Sequence, residues 1–143
     1  MNKVAIVYWS GTGNTETMAN CIAEGVKEAG AEAALLGPAE FSAARLPEFD
    51  VVAFGCSAMG SEQLEESEFE PMFSGLESSL ASKKIALFGS YGWGDGQWMR
   101  DWCARCESAN ANLYEEEGLM VNETPDADAQ ETCRELGRKL AAW

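Results

Sequence analysis

The chain has 143 residues, the length of one domain, and its 46% hydrophobic and 24% charged residues are ordinary for a globular protein. Its formal net charge is −14, which argues against binding to nucleic acid or to an anionic membrane surface and favours partners with basic surfaces. Five scattered cysteines form no disulfide framework and no apolar run reaches the length of a membrane span, so we expect a cytoplasmic protein with reduced thiols.

Predicted strands and helices alternate from the start of the chain. Residues 4–9 form a continuous apolar strand, and residues 16–29 place apolar side chains at helical spacing. A second strand is predicted over 31–36, and a Gly-Pro pair ends it before a short helical piece at 41–46. The first third of the chain therefore begins with a strand–helix–strand unit.

The middle of the chain repeats this pattern. Residues 51–55 and 85–89 are two further apolar strands without polar alternation, and a helix predicted over 69–80 separates them. Apolar strands joined by helices are typical of a parallel sheet that is covered on both faces. The fold class indicated is α/β.

The last third of the chain adds a helix at 98–109 and a closing helix at 127–142. Between them a final strand is predicted in two pieces, 113–114 and 119–121, which an acidic bulge at 115–118 separates. The acidic clusters of the chain, including this bulge, are interpreted as solvated faces or loops.

Three loops follow the most apolar strands, at residues 10–15, 56–66 and 90–96. Because the carboxyl ends of parallel strands meet at one edge of a sheet, we expect these loops to form a single binding site. The third loop carries Trp93 among glycines, and the second carries Met59. An indole and a thioether facing each other would suit a flat ligand, although Trp93 could instead fold back as a lid on its own domain.

The first loop is a candidate phosphate cradle, because it joins a strand to a helix and combines glycines with hydroxyl and amide side chains. Its sequence is Ser10-Gly11-Thr12-Gly13-Asn14-Thr15. It lacks the Gly-Lys-Ser/Thr ending of a nucleoside-triphosphate loop, so it is suited to holding a phosphate rather than transferring one. The same residue types are also common in turns and helix N-caps, which is the alternative interpretation.

The three loops together resemble those of the flavodoxins, specifically the short-chain flavodoxins of anaerobic bacteria. The resemblance covers the full length and is carried by VYWSGTGNTE at 7–16, AMGSE at 58–62 and FGSYGWGDG at 88–96. It implies a doubly wound three-layer αβα sandwich with a five-stranded parallel sheet of order 2-1-3-4-5. Residues 1–143 would then be a single flavodoxin-like domain that binds FMN.

The resemblance also implies roles for individual residues. Trp93 would be the outer stacking aromatic, Met59 the inner cover, and Glu62 the acceptor for ring N3. The Gly60–Ser61 peptide would flip on reduction to stabilise the semiquinone. The full set of implied FMN-binding residues is Ser10, Gly11, Thr12, Gly13, Asn14, Thr15, Ser57, Ala58, Met59, Gly60, Ser61, Glu62, Ser90, Tyr91, Gly92, Trp93, Gly94 and Asp95.

The function implied is that of a low-potential one-electron carrier, which shuttles electrons between redox proteins through the semiquinone/hydroquinone couple of non-covalently bound FMN. No histidine and no carboxylate pair is placed for acid–base work, so we expect no catalytic residues, no metal site and a monomer that turns over no substrate. Cys103 and Cys106 are interpreted as incidental neighbours on one helix. Two alternatives are an FMN-dependent reductase and a flavin-free receiver domain of the same topology.

Overall fold

A computed structural model describes residues 1–60 and 62–143. Strands and helices alternate along the chain as the hydrophobic pattern predicts. The strands are β1 (Lys3–Trp9), β2 (Glu32–Leu36), β3 (Val51–Cys56), β4 (Lys84–Tyr91), β5 (Asn112–Leu113) and β6 (Leu119–Asn122). The helices are α1 (Asn14–Glu28), α2 (Phe69–Leu76), α3 (Gln97–Ser108) and α4 (Ala127–Ala142).

The strands form one parallel sheet in the order β2-β1-β3-β4-β5, with β6 also paired to β4. The fifth position of the sheet is therefore shared by β5, which pairs with Lys84 and Ile85, and β6, which pairs with β4 from Phe88 onward. This confirms the predicted order 2-1-3-4-5, with a fifth strand that is broken in two. The break leaves Ala86 and Leu87 without a partner strand on that side.

Each face of the sheet is covered by two helices. In β1, Val4 and Ile6 point to a core shared with α1 and α4, whereas Ala5 and Val7 point to a core shared with α2 and α3. All four side chains are fully buried. Because both faces are dry, the central strands can be apolar at every position, which is the pattern seen in the sequence.

Two of the predicted helices differ from those observed. Residues 41–46 do not form one helical piece, and instead two 3₁₀ segments occupy Pro38–Glu40 and Ala43–Glu48. The helix predicted over 69–80 ends at Leu76 and continues as a 3₁₀ turn, Glu77–Ser79. Tight 3₁₀ turns fit where a chain must reverse within a few residues to enter the next strand. Within the described residues, no helix is long and apolar enough to span a membrane.

Candidate functional site

A cavity of about 310 Å³ opens at the carboxyl edge of the sheet, where the three loops meet. Its volume is at the lower end of the range of roughly 300–1,000 Å³ that is typical of small-molecule sites. It is lined by Trp9, Gly11, Thr12, Asn14, Ser57, Ala58, Met59, Gly60, Ser90, Tyr91, Gly92 and Glu123. The structure therefore brings the three predicted loops together around one space.

The first loop ends at the N-terminus of α1, where the N-cap residue is Gly13, which has no side chain to cap the helix. Gly13, with a φ of 95°, makes the left-handed turn into the helix, a conformation that glycine adopts without strain. The Ser10 hydroxyl accepts hydrogen bonds from the amides of Gly13 at 3.1 Å and Glu16 at 3.2 Å. In the described part of the chain, the amides of Thr12 and Asn14 donate to no protein acceptor, so they remain available to a ligand.

Thr15 connects all three loops. Its side chain is fully buried, and its hydroxyl lies 2.7 Å from the Ser57 hydroxyl and 3.3 Å from the Ser90 hydroxyl. The backbone amide of Ser90 also donates to the Thr15 hydroxyl at 3.3 Å. One buried side chain thus fixes the first turn of α1 against the ends of β3 and β4.

Backbone hydrogen bonds join the second loop to β4 and also close a turn within the loop. The amide of Ala58 donates to the Ser90 carbonyl at 3.1 Å, and the amide of Met59 donates to the Gln63 carbonyl at 3.0 Å. Met59 lies on the cavity wall, as predicted for a residue facing a flat ligand. The predicted flip of the Gly60–Ser61 peptide concerns Ser61, which lies outside the described residues.

Glu62 reaches from the second loop to the third. Its carboxylate accepts a hydrogen bond from the Asp95 amide at 3.2 Å, and an added Cβ on Gly94 would lie 2.0 Å from the same carboxylate oxygen. The φ of Gly94 is +87°, so both its conformation and this close approach require glycine. Glu62 is not part of the cavity wall in this arrangement.

Glu65 corrects the expectation that the whole acidic stretch of the second loop is solvated. Its side chain is only 6% exposed. Its carboxylate accepts from the amides of Ser67, Glu68 and Phe69 at 2.8–2.9 Å, and from the Ser67 hydroxyl. Desolvation opposes ionisation, but these hydrogen bonds outweigh it and lower the pKa of Glu65 to about 2. The carboxylate therefore fixes the end of the loop to the start of α2.

The third loop begins later than predicted, because Ser90 and Tyr91 belong to β4. Ser90 is 4% exposed and Tyr91 is half-buried against Trp98, with ring centroids 5.5 Å apart. Trp93 is 63% exposed, so it is not folded back as a lid. Asp95 forms an ion pair with Arg100 at 2.9 Å.

Most of the predicted site residues surround the cavity, but some stand behind or beside its wall. Three predicted residues of the first loop lie behind the cavity wall, namely Ser10, Gly13 and Thr15. Four predicted residues of the other two loops do not line the cavity, namely Glu62, Trp93, Gly94 and Asp95. Sequence analysis missed Trp9 and Glu123, which both line it. Glu123 follows β6, and its amide donates to the Tyr91 carbonyl at 2.7 Å. Its place after a strand at the same sheet edge was the available signal.

The cysteines are placed as small apolar residues rather than as reactive groups. Cys21, Cys56, Cys106 and Cys133 are buried, and all five are free thiols. Desolvation raises the pKa of Cys56, the one cysteine next to the cavity, to about 12. Trp98 and Trp102 of α3 are both 1% exposed, and the Trp98 indole donates to the Cys56 carbonyl at 3.2 Å.

The arrangement offers two kinds of surface to one ligand. At one end, free amides and the N-terminus of a 15-residue helix favour an anion. At the other end, Met59 lines the cavity, and the third loop carries Trp93, which is 63% exposed. No lysine or arginine is among the described residues of the cavity wall, so an anion there would be held by amides and hydroxyls alone.

Comparison with known proteins gives one consistent answer. The sequence model described as "Flavodoxin" matches residues 6–137. The chain is 47% identical over 136 residues to a flavodoxin of Clostridium beijerinckii, covering 95% of this chain and 97% of the relative. It is 49% identical over 138 residues to a flavodoxin of Megasphaera elsdenii, covering 96% and 98%. The solution structure of the two-electron reduced M. elsdenii protein matches with a TM-score of 0.88 and 46% identity, over 98% of this chain and 99% of that chain.

Proposed function

Since the chain belongs to the flavodoxin family, whose members carry electrons on bound FMN, we propose that the cavity at the carboxyl edge of the sheet is its FMN site. The protein is an electron-transfer protein with FMN as cofactor, and not an enzyme with a substrate of its own. We further propose that residues 1–143 act as a single FMN-binding domain.

The first loop fits the phosphate of FMN. The amides of Thr12 and Asn14 have no protein acceptor in the described chain, and the dipole of α1 favours negative charge at this point. A phosphate would therefore accept hydrogen bonds from these two amides, which donate to no acceptor in the described chain. The hydroxyls of Thr12 and Ser57, which line the cavity, are proposed to assist these amides, while the hydroxyls of Ser10 and Thr15 hold the loop in position behind them. This match between unused donors and an anionic group is the observation that carries the proposal.

The second and third loops are proposed to hold the flavin ring. Met59 would cover one face of the ring and Trp93 the other, while the amides of Gly92 and Trp93 would face its polar edge. Trp93 is 63% exposed, so stacking on a ring would remove apolar surface from water. Glu62 joins the two loops by accepting a hydrogen bond from the Asp95 amide, and we propose that its carboxylate also accepts from ring N3.

When bound, FMN supplies one-electron chemistry, because it can take up and release its two electrons in separate steps. The residues around the cavity set the electrostatic field in which it does so. Glu123 lines the wall, and Glu62 and Asp95 lie beside it. With a net charge of −14 on the chain, added negative charge at this position is disfavoured, which supports a low reduction potential.

Partners with basic surfaces are proposed on the same electrostatic ground. An acidic protein steers towards basic partners, and the effect weakens over a Debye length of about 8 Å at physiological salt. Repulsion between two copies of charge −14 supports a monomer. Five free thiols support a reducing compartment, the cytoplasm.

A reductive titration of the purified protein in anaerobic buffer tests the redox assignment. We expect a yellow protein whose spectrum shows a transient long-wavelength band at half reduction. Reduction in one two-electron step, with steady turnover of NAD(P)H, would instead favour the FMN-dependent reductase. A protein that binds no flavin after addition of FMN would overturn the assignment.

The placement of the phosphate is tested by adding a charge to the first loop. Thr12→Glu places a carboxylate among the amides, whereas Thr12→Gln adds a side chain of the same length without charge. We expect Thr12→Glu to weaken FMN binding at least about 100-fold relative to Thr12→Gln, since a buried like-charge pair costs several kcal/mol. Binding of riboflavin, which lacks the phosphate, should differ little between the two variants. If Thr12→Glu weakened the binding of FMN and of riboflavin equally, the phosphate would have to bind elsewhere.

A further inference from the structure

The break in the fifth strand leaves a second cavity, of about 140 Å³, on the α4 face of the sheet. Ala86 and Leu87, the two β4 residues without a strand partner on this side, both line it with Leu119 and Leu136. The Ala86 side chain faces this cavity, whereas the Leu87 side chain belongs to the core on the other face of the sheet, so the apolar floor is made by Ala86, Leu119 and Leu136. Its rim is made of polar groups from the acidic bulge and from α4. This cavity shares no lining residue with the FMN cavity.

The rim is strongly acidic. Glu115 and Glu117 stand on the bulge side and Glu135 on the helix side, and Lys139 is the only cation among the described lining residues. Lys139 is already paired with Glu135 at 2.9 Å. Neither Glu115 nor Glu117 forms an ion pair with any residue in 1–60 or 62–143. Three carboxylates and one ammonium leave the rim with a formal charge of −2.

Two neighbouring groups report this negative field. Desolvation raises the pKa of Tyr114, and the charge of Glu115 raises it further. The hydrogen bond and charge of Glu135 raise the pKa of Lys139, with a further contribution from Glu115. The contributions of Glu115 and Glu135 have the sign expected where an additional positive charge would be favoured, whereas the desolvation at Tyr114 does not distinguish the sign of a charge.

An apolar floor beneath an acidic rim suits an alkyl chain that ends in a cation. The stem of an arginine or lysine side chain packs on aliphatic groups while its charged end remains at the polar rim. A guanidinium fits better than an ammonium because it is flat, weakly hydrated and able to bind two carboxylates at once. A second copy of this chain is disfavoured as the occupant by its own charge of −14.

We infer that this cavity is a socket for an arginine side chain of a basic partner protein, which docks across the edge strand β6. The inference rests on the proposed preference for basic partners. The socket contains Leu119 at the start of β6, and the FMN cavity contains Glu123 just past its end. Four residues of strand span about 13 Å, so a partner anchored in the socket lies next to the FMN cavity without filling it.

The test uses N-butylguanidinium, an analogue of the arginine side chain, and N-butylurea, a neutral compound of similar shape. Each is titrated into the flavin-bound protein while backbone amide shifts are followed by NMR at moderate salt. For the cation we expect shifts centred on Leu87, Tyr114, Gly118 and Thr132, and at least a tenfold weaker response to the urea. Shifts of equal size at every acidic cluster, or none at these residues, would overturn the inference.

The double variant Glu115→Gln/Glu117→Gln should weaken the binding of N-butylguanidinium at least fivefold. The control is Glu32→Gln/Glu107→Gln, which removes the same charge from two exposed residues that line neither cavity. If both double variants bound N-butylguanidinium equally weakly, the effect would depend only on net charge, and the proposed socket would be refuted. The yellow colour of bound FMN, read in the same samples, reports separately whether the proposed cofactor site is intact.

Discussion

The two ends of the FMN cavity are built in different ways. At the phosphate end, Thr15 is fully buried and joins three loops, whereas at the ring end Trp93 is 63% exposed. Among the described residues, the Asp95 amide donates to Glu62 across the ring-end loops, and the Ala58 amide donates to the Ser90 carbonyl at the end of β4. We interpret the first end as the source of binding affinity and the second as the part that sets redox properties and meets partners.

The rigidity of the phosphate end extends into the packing of its helix. An added Cβ on Gly25 of α1 would lie 1.9 Å from the Arg134 carbonyl oxygen, and one on Gly137 of α4 would lie 2.0 Å from the Ile22 carbonyl oxygen. The two helices thus touch backbone to backbone, a distance that only glycine permits. This contact fixes the position of the amides at the start of α1.

The largest expected effect comes from breaking the phosphate end at its centre. Thr15→Val keeps the shape of the side chain but removes the hydroxyl, which leaves the Ser57 and Ser90 hydroxyls without their buried partner. A loss of about 2 kcal/mol is typical of such a change, so we expect FMN to bind roughly 30-fold more weakly. Flavin fluorescence titration measures this affinity.

Thr132→Val is the control for this change, because the Thr132 hydroxyl only donates to the Asp128 carbonyl on the surface of α4. Its FMN affinity should stay within about twofold of the unmodified protein. An affinity of Thr15→Val within threefold of the unmodified protein would show that the loops do not depend on this hydroxyl.

The ring end has one strong anchor, Glu65, and removing its charge is the next largest change. Glu65→Gln should lower the free energy of unfolding at pH 7 by about 2 kcal/mol, because a buried carboxylate with several donors is lost. Its folded pKa of about 2 lies below the ordinary value of 4.5. The stabilisation is therefore present above about pH 4.5 and disappears as the pH falls towards 2.

Denaturation by urea at pH 7, 4 and 2.5 follows this difference directly. Glu66→Gln, a change at the exposed neighbouring residue, should leave the unfolding free energy nearly unchanged at every pH. A difference between Glu65→Gln and the unmodified protein that stays constant down to pH 2.5 would contradict the lowered pKa.

Trp93→Ala tests the ring end of the cavity, where this side chain is exposed. Because this indole is largely exposed in the protein itself, its removal should hardly change the unfolding free energy without FMN. It should weaken FMN binding about tenfold, the loss expected for one aromatic stacking contact and its buried area. If Trp93→Phe weakened FMN binding as much as Trp93→Ala, the indole itself, and not any aromatic ring, would be needed.

The smallest effect is expected from Glu62→Gln. The change keeps a hydrogen-bond acceptor for the Asp95 amide but removes one negative charge near the ring. We expect the potential of the second one-electron step to rise by on the order of 50 mV at low salt, and less at high salt. Potentiometric titration at two ionic strengths measures it, and a salt-independent shift would point to altered structure instead.

The alternation of apolar strands and helices was sufficient to predict the sheet, because burial on both faces removes polar residues from every central strand position. The loop composition likewise singled out three loops that the structure brings together around one cavity. The lengths of α2 and of the 3₁₀ segments near 38–48 were predicted incorrectly. Short turns of this kind depend on where the chain must enter the next strand, and a short window of sequence carries little of that information.

Hydrophobic periodicity and loop composition are local properties, so the sequence alone was enough to predict the fold class, the three loops and most of the residues that line the proposed FMN cavity. Only the tertiary structure decided that Thr15 joins the loops, that Glu65 is buried and that Glu123 reaches the cavity wall. It also decided that the acidic bulge encloses a cavity instead of standing free in solvent. Each of these outcomes depends on which distant groups surround a side chain, and burial and hydrogen bonding arise only when the chain is packed.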